Sequence, residues 1–562
     1  MSYLTVGGYL ASRLEQIGVT HYFTVPGDYN LVLLDELLTN ERLQLISCCN
    51  ELNAGYAADG YARATQTPGV IIVTYSVGGL SSLNAVAGAF AEDLPLIVVS
   101  GAPNTNSLAE AEVLHHTLGT IDYGYQRRIY NNVTAAYAVI IDPREAPRQI
   151  DEAIQVALTK RKPVYIEIAC NISSAITSAA MPRQFDRICQ NDEAACIAAV
   201  SHAARLLNDA TKPVLLGGAR LRAFNAIDAF HKLSSVSGYA TAVMADAKSF
   251  YRESDNNFIG IYWGPVSSRG CAEIIEASDM ILAAGGRFND YSTVGHAALL
   301  DRSKMILVDA GRIVVEGQTY GPVSMESFLD QLSEKLVHNE MALQAFRRNF
   351  QPTQIQVAAD PEGQVTTRAL FSRIQNMLQP NFALIAETGD TWFNATALKL
   401  PDSTCFEIQM QYGSIGWSVG AALGYAVGSN AKRRVVAIVG DGSFQVTGQE
   451  LSTMIRYELN PIIFLVNNGG YTIEVEIHDG SYNVIKNWNY AKLVDVFSAE
   501  DGQGLGMTVT SLGELDTAIQ TALNNCGVSL IEVVVDRHDC SEKLSQWGAY
   551  VAKNNGRPPK MI

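Results

Sequence analysis

Val435-Val-Ala-Ile-Val-Gly-Asp-Gly-Ser443 joins a bare β-branched run to a glycine turn, and a helix-like segment, Gln445–Tyr457, follows. A Val/Ile run without polar alternation suits a strand covered on both faces, as in a parallel α/β sheet. The next such run, Ile462–Val466, ends in Asn467-Asn-Gly-Gly470. A glycine turn entering a helix presents backbone N–H groups outward and favours negative charge. One carboxylate, Asp441, with one amide, Asn468, is a poor full metal cage. It suits Mg²⁺, which completes its octahedron with phosphate oxygens and water. Either turn alone reads as an ordinary strand–helix junction. The pair, on two adjacent strand ends of an open parallel sheet, predicts a diphosphate bound through a divalent cation.

Similar short apolar runs alternate with amphipathic segments along the whole chain, and several recur at a nearly fixed offset. Ala57-Ala-Asp-Gly-Tyr-Ala62 matches Ala421-Ala-Leu-Gly-Tyr-Ala426, 364 residues on. The strand at Val70 matches the one at Val435, and Leu94-Pro-Leu-Ile-Val-Val99 matches Asn460-Pro-Ile-Ile-Phe-Leu465. Asp151-Glu-Ala-Ile-Gln155 matches Asp516-Thr-Ala-Ile-Gln520, 365 residues on. Ordered matches at constant spacing predict two copies of one α/β domain, at 1–180 and 355–540, around a different domain at 190–345. Residues 541–562 form a C-terminal tail. Ser173–Asp192 and His338–Gly363, the latter with Pro352 and Pro361, read as the linkers.

The 562 residues contain 41 Lys and Arg against 57 Asp and Glu, a formal charge of -16. Such a surface repels phosphate backbones, so nucleic acid is not an expected partner. Hydrophobic residues make up 48%, enough for several packed cores. The nine cysteines, at 48, 49, 170, 189, 196, 271, 405, 526 and 540, are scattered and form no C-x-x-C. They read as reduced thiols of a cytoplasmic protein. No basic region followed by an apolar block marks the N-terminus as a signal peptide. Ala64–Ala91 carries no charge, but Pro68, Gly78 and Gly79 interrupt it, so strand, turn and buried helix are expected instead of a membrane span.

Further motifs make the diphosphate reading specific: Val25-Pro-Gly-Asp-Tyr29, Cys49-Asn-Glu-Leu-Asn-Ala-Gly-Tyr56, His115-His116, Ala386-Glu-Thr-Gly-Asp390, Gly413-Ser-Ile-Gly-Trp417 and Tyr471-Thr-Ile-Glu474. With Gly440-Asp-Gly-Ser443 and Asn467-Asn468, they resemble the thiamine diphosphate (ThDP)-dependent 2-oxo acid decarboxylases, and among them the bacterial pyruvate decarboxylases, over essentially the whole chain. The resemblance implies a pyrimidine-binding domain, a Rossmann-like middle domain without a nucleotide, and a diphosphate-binding domain that shares the first one's fold. It implies decarboxylation of pyruvate to acetaldehyde and CO₂ through a ThDP ylide and enamine, with ThDP and Mg²⁺ as cofactors. It also implies a homodimer with active sites shared between chains, assembled as a dimer of dimers.

The same resemblance assigns roles. Glu51 hydrogen-bonds the cofactor pyrimidine and promotes loss of the thiazolium proton, activating a nucleophile through an adjacent base. Ile415 wedges between the two cofactor rings, and Gly413 offers its carbonyl to the amino group. Asp441, Asn468 and the Gly470 carbonyl bind Mg²⁺. Asp390, Gly442, Ser443 and Ile473 also contact the cofactor. Asp28, His115, His116 and Glu474 supply the proton transfers that decarboxylation and aldehyde release require. Adjacent residues on a regular element point different ways, so His115 and His116 are not expected to serve equally. Glu476 is expected to be structural.

Tyr291, Thr388, Trp392, Ile473, Ile477 and Trp547 match the substrate pocket. A pocket of Ile and Trp leaves room for a methyl group and not for an indole, which favours pyruvate over indolepyruvate or phenylpyruvate. Gly217-Gly-Ala-Arg220 and Gly285-Gly-Arg287 are weak nucleotide signals without a G-x-G-x-x-G. They leave a flavin-bearing carboligase of the acetolactate synthase kind as an alternative. A cofactor-binding scaffold without catalysis would need damaged acid–base positions, and Glu51, Asp28, both histidines and Glu474 are present.

Overall fold

The computed structural model describes residues 3–187, 190–350, 362–500 and 502–559. Cys189, Pro352, Pro361 and the expected start of the last domain at 355 lie outside them. Three sheets organise the chain. The first has the order Gln44–Ser47, His21–Thr24, Gly69–Val73, Leu96–Ala102, Val164–Ala169, Tyr137–Ile140, all parallel. The last runs Cys405–Glu407, Phe382–Ala386, Arg434–Gly440, Ile462–Asn467, Ser529–Val534, Leu505–Val509, also all parallel. The two orders are the same when each sheet's strands are numbered in turn. The repeat in the sequence is therefore a repeat of topology, and the strands matched at Val70 and Val435 take equivalent places.

The middle sheet begins with five parallel strands, Phe258–Tyr262, Ala240–Met244, Pro213–Gly217, Met280–Ala284 and Met305–Asp309. Two antiparallel strands, Arg312–Val315 and Gln318–Tyr320, complete it. This is an open doubly wound sheet of Rossmann type. The arginines after its glycine turns face the first domain. Asp93 is paired with Lys162 at 2.6 Å, with Arg220 at 2.8 Å and with Arg287. Burial alone would raise the Asp93 carboxyl, but Arg287, Arg220 and Lys162 together hold it down at about 2. Arg220 and Arg287 are thus tied into a contact between domains.

The two repeated helices pack against each other. Glu51–Thr65 lies along Trp417–Ser429, with Asn53 beside Gly420 and Thr65 beside Gly428, so both helices start at the same end. A Cβ on Gly60 would lie 2.1 Å from the Ala421 carbonyl oxygen, and one on Gly424 would lie 1.7 Å from that of Ala57. Only glycine permits this approach, which explains why Ala-Ala-x-Gly-Tyr-Ala recurs in both copies. One hydrophobic core runs from Phe23, Ile71 and Val98 through Ala57 and Ala421 to Val435 and Ile463, joining the first and last sheets.

The segment Ala64–Ala91 forms the end of a helix, the strand Gly69–Val73 and the helix Val77–Ala91. Among the described residues no helix is long and apolar enough to cross a membrane. The helix expected over Gln445–Tyr457 differs. It begins at Asp441 itself and divides into Asp441–Thr447 and Glu450–Arg456. The interruption falls at Gly448, whose backbone N–H still bonds to the Phe444 carbonyl at 2.7 Å.

Candidate active site

The strand Arg434–Gly440 delivers Asp441 to the first position of its helix, and Ile462–Asn467 delivers Asn468 beside it. The Asp441 side chain accepts the Gly442 N–H at 2.7 Å and the Gly469 N–H at 2.6 Å. Asp441 is 1% exposed, and among the described residues no basic side chain bonds to it. Burial pushes its carboxyl up to about 6 against these N–H donors. Asn468 donates through its amide nitrogen to Thr472 Oγ1 at 2.6 Å, which leaves the amide oxygen as its acceptor. A buried carboxylate without a cationic partner, next to an oriented amide oxygen, is an oxygen donor set that fits Mg²⁺.

A pocket surrounds this pair. Thr388–Thr391, Ile415, Gly440–Ser443, Asn468 and Gly470–Ile473 are in its lining. The turn and strand-end motifs read from the last domain thus converge on one cavity. The Asp390 carboxylate, in a residue of this lining, is bonded to Ser541. It accepts the backbone N–H of Ser541 at 3.1 Å and also the Ser541 hydroxyl. Ser541 caps the helix Glu542–Asn555, so Asp390 ties the pocket lining to the start of the C-terminal helix.

Beside the pocket stands an aromatic cluster. Tyr291 meets Trp547 edge-on with ring centroids 4.8 Å apart, and meets Trp392 at 6.4 Å. Trp392 and Trp547 are fully buried, Ile473 nearly so, and Ile477 packs against the same core. The Trp392 ring approaches Gly413, whose φ of +65° turns the chain toward Ile415. Of the six pocket residues expected from the sequence, Thr388 and Ile473 line the Asp441 pocket, and Tyr291, Trp392 and Trp547 form this cluster. Glu474, two residues before Glu476 on the helix Thr472–Ile477, is exposed.

Glu51, Asp28, His115 and His116 form a second group on the first domain. Glu51 opens its helix, and its carboxylate approaches Gly78, as does the Thr74 side chain; Thr74 in turn touches Gly27, next to Asp28. Asp28 Oδ2 lies 2.5 Å from His115 Nε2, and Asp28 Oδ1 lies 3.7 Å from His116 Nε2. Both histidines lie at the Asp28 carboxylate, His115 closer than His116. They sit in a turn and not on a regular element, and His116 has φ +59°. The left-handed residue swings both rings to the same carboxylate, with centroids 4.7 Å apart. Tyr29 stacks on His115 at 5.0 Å, a role its place after Asp28 in the motif could have suggested.

These two groups are not bonded to each other. Among the described residues no hydrogen bond or ion pair joins Glu51, Asp28, His115 or His116 to Asp441, Asn468 or Glu474. The side chains of His115 and Asp28 are 59% and 49% exposed. The turn around them also exposes Val113, Leu118 and Ile121.

Comparison with known proteins decides the family. The chain matches the N-terminal thiamine pyrophosphate-binding domain of the thiamine pyrophosphate enzymes over residues 4–124, their central domain over 200–365 and their C-terminal binding domain over 388–533. It is 49% identical to pyruvate decarboxylase 3 of Arabidopsis thaliana across 99% of this chain and 94% of the relative. The chain belongs to the thiamine pyrophosphate enzymes. Other members include pyruvate decarboxylase 2 of Nicotiana tabacum, 47% identical across 99% of this chain and 95% of the relative. Pyruvate decarboxylase 2 of Oryza sativa subsp. japonica is 48% identical across 99% of this chain and 92% of its own length. The cofactor of this thiamine pyrophosphate enzyme is ThDP, the same molecule by its other name.

Proposed function

We propose that this enzyme decarboxylates pyruvate to acetaldehyde and CO₂ using ThDP and Mg²⁺. The observation that carries the reading is the pocket in which Asp441 and Asn468 stand beside Ile415 and the aromatic cluster, in a chain whose full-length relatives are pyruvate decarboxylases. When bound, ThDP supplies a carbon nucleophile and an electron sink for the carboxylate that leaves. Asp441, Asn468 and the Gly470 carbonyl would hold the cation. The backbone of Gly442 and Ile473, with Ser443, would hold the diphosphate, and Ile415 and Gly413 would set the ring geometry.

Glu51 would hold a proton shared with the pyrimidine ring. Asp28 and His115, already 2.5 Å apart through His115 Nε2, form a relay able to deliver a proton at the opposite ring nitrogen, His115 Nδ1, with His116 as a second histidine near the same carboxylate. Glu474 would face the departing carboxylate. Tyr291, Trp392, Trp547, Ile473, Ile477 and Thr388 would bound a pocket sized for the pyruvate methyl. The wall of buried tryptophan disfavours the indolepyruvate and phenylpyruvate alternatives. The commitment of Arg220 and Arg287 to Asp93 disfavours the flavin-bearing carboligase.

We further propose that each site is shared between two chains. The exposed first-domain group from one chain would face the Asp441 pocket of another, and the apolar residues around the histidines would be covered. A C₂ dimer then carries two equivalent sites, assembled further as a dimer of dimers. The domain limits 1–180, 190–345 and 355–540 belong to the same reading. Eight free cysteines among the described residues support a reducing compartment, the cytoplasm.

The test supplies pyruvate, ThDP and Mg²⁺ and measures acetaldehyde by a coupled reduction. Chelation and extensive dialysis at mildly alkaline pH should abolish the activity, and both cofactors together should restore it. Activity that survives this treatment without added cofactor would overturn the reading.

A further inference from the structure

A cavity of about 310 Å³ lies between the first and middle domains and shares no lining residue with the pocket at Asp441. Arg161, Arg187 and Arg222 line it, with Gln66, Asn225 and Ser324. Among the described residues none of its lining side chains is a carboxylate, in a chain whose formal charge is -16. Three guanidinium groups gathered in one cavity of an acidic protein call for an electrostatic explanation.

Arg161 is the decisive residue. It is 9% exposed and follows the helix Ala146–Lys160 with φ +53°. Its guanidinium makes no hydrogen bond or ion pair with any described residue, and its Nε is buried without a partner. Burial lowers it to about 10, and the like charges of Arg222 and Arg187 add to the effect. The other two are held in place. Arg222 is paired with Glu407 and lies 4.9 Å over the Phe250 ring, and Arg187 donates to the Ile17 carbonyl at 3.0 Å.

Two helix C-termini, at Gln66 and Arg161, bring opposing partial negative charge, but only about half a unit each. The helix Met325–Ser333 offsets part of this, since its capping residue Ser324 and first residue Met325 also line the cavity. The acidic groups around it are engaged elsewhere: Asp93, whose charge reaches Arg161, with Lys162, Arg220 and Arg287; Glu407 with Arg222 and Arg63; and Glu326 with Asn225. With Glu407 balancing Arg222, and Asp93 shared among three other cations, Arg161 and Arg187 have no ion-pair partner of their own among the described residues, which matches a dianion better than a monocarboxylate. The planar guanidinium fork pairs bidentately with phosphate oxygens.

We propose that this cavity binds a small phosphate-bearing anion through Arg161, Arg187 and Arg222. The test is calorimetric titration of enzyme loaded with ThDP and Mg²⁺ and freed of excess cofactor. Inorganic phosphate is the probe, and acetate at matched ionic strength is the monocarboxylate comparison. Phosphate should saturate one site per chain, and acetate should bind at least tenfold more weakly. Arg187→Gln and Arg161→Gln should each weaken phosphate roughly tenfold or more, the cost of losing one charged hydrogen-bonding partner. Arg187 is exposed, so its variant decides the matter if Arg161→Gln does not fold. No saturable heat with the wild type, or equal phosphate affinity in wild type and Arg187→Gln, would overturn the site. Acetate binding as tightly as phosphate would overturn the phosphate assignment.

Discussion

The Glu387 carboxylate accepts the backbone N–H of Ser418 at 3.0 Å and its hydroxyl at 2.7 Å. Its other oxygen accepts the Thr388 N–H at 2.8 Å. Glu387 is completely buried, and this tie fastens the turn that lines the Asp441 pocket to the start of the helix behind Ile415. Glu387→Ala would leave three donors without their acceptor and should destabilise the protein by about 3 kcal/mol or more. Glu387→Gln keeps one acceptor and should cost less, while raising the ThDP concentration needed for half activity. Urea unfolding and cofactor titration check both. Equal stability of the two variants would show that the tie is not what holds the turn.

Sharing of sites between chains is open to complementation. Glu51→Gln and Asp441→Ala should each be inactive. Unfolded and refolded together, they should form mixed dimers in roughly half of all pairings, by symmetry counting. One site in each mixed dimer carries both lesions and the other carries neither, so about a quarter of all sites should be intact. Recovery near that level is the expected result, with refolded wild type as the reference. No recovery would place each site within one chain.

Ile473 lines the pocket and is 6% exposed. Ile473→Ala should raise kcat/KM for longer or aromatic 2-oxo acids relative to pyruvate, since each methylene is worth roughly 1–3 kcal/mol of discrimination. The same change should cost about 2–5 kcal/mol of stability as a core truncation. An unchanged ratio of the two kcat/KM values would put Ile473 outside the substrate's reach.

Asp246 is enclosed in the middle domain, with one oxygen buried and unpartnered. Burial pushes its carboxyl up to about 6 from 3.8, and the nearby Arg287 offsets only part of this. The folded state then holds a proton that the unfolded chain releases, so Asp246 makes stability fall as pH rises from about 4 to about 6. A rise of about two units corresponds to about 3 kcal/mol. Asp246→Asn should match the wild type near pH 4 and exceed it at pH 7 by up to that amount, measured from urea midpoints. A difference that does not change with pH would show that Asp246 keeps an ordinary affinity for its proton.

The sequence by itself determined the parts that depend on local composition. Central strands such as Gly69–Val73 and Phe382–Ala386 are buried at every position, so each had to be an apolar run and was readable as one. The small-residue helices were readable because both copies meet the same steric demand at Gly60 and Gly424. The edge strands Gln44–Ser47, Tyr137–Ile140, Cys405–Glu407 and Leu505–Val509 were not readable. A strand covered on one side only admits exposed and polar residues, as the mixed burial of these four shows. Only the tertiary structure decided that the left-handed His116 turns both histidines to Asp28 and that Asp390 bonds to Ser541. It also decided that Arg161, Arg187 and Arg222 gather around one cavity. Each of these depends on which distant segments the fold brings together, and the spacing of residues along the chain carries no record of that.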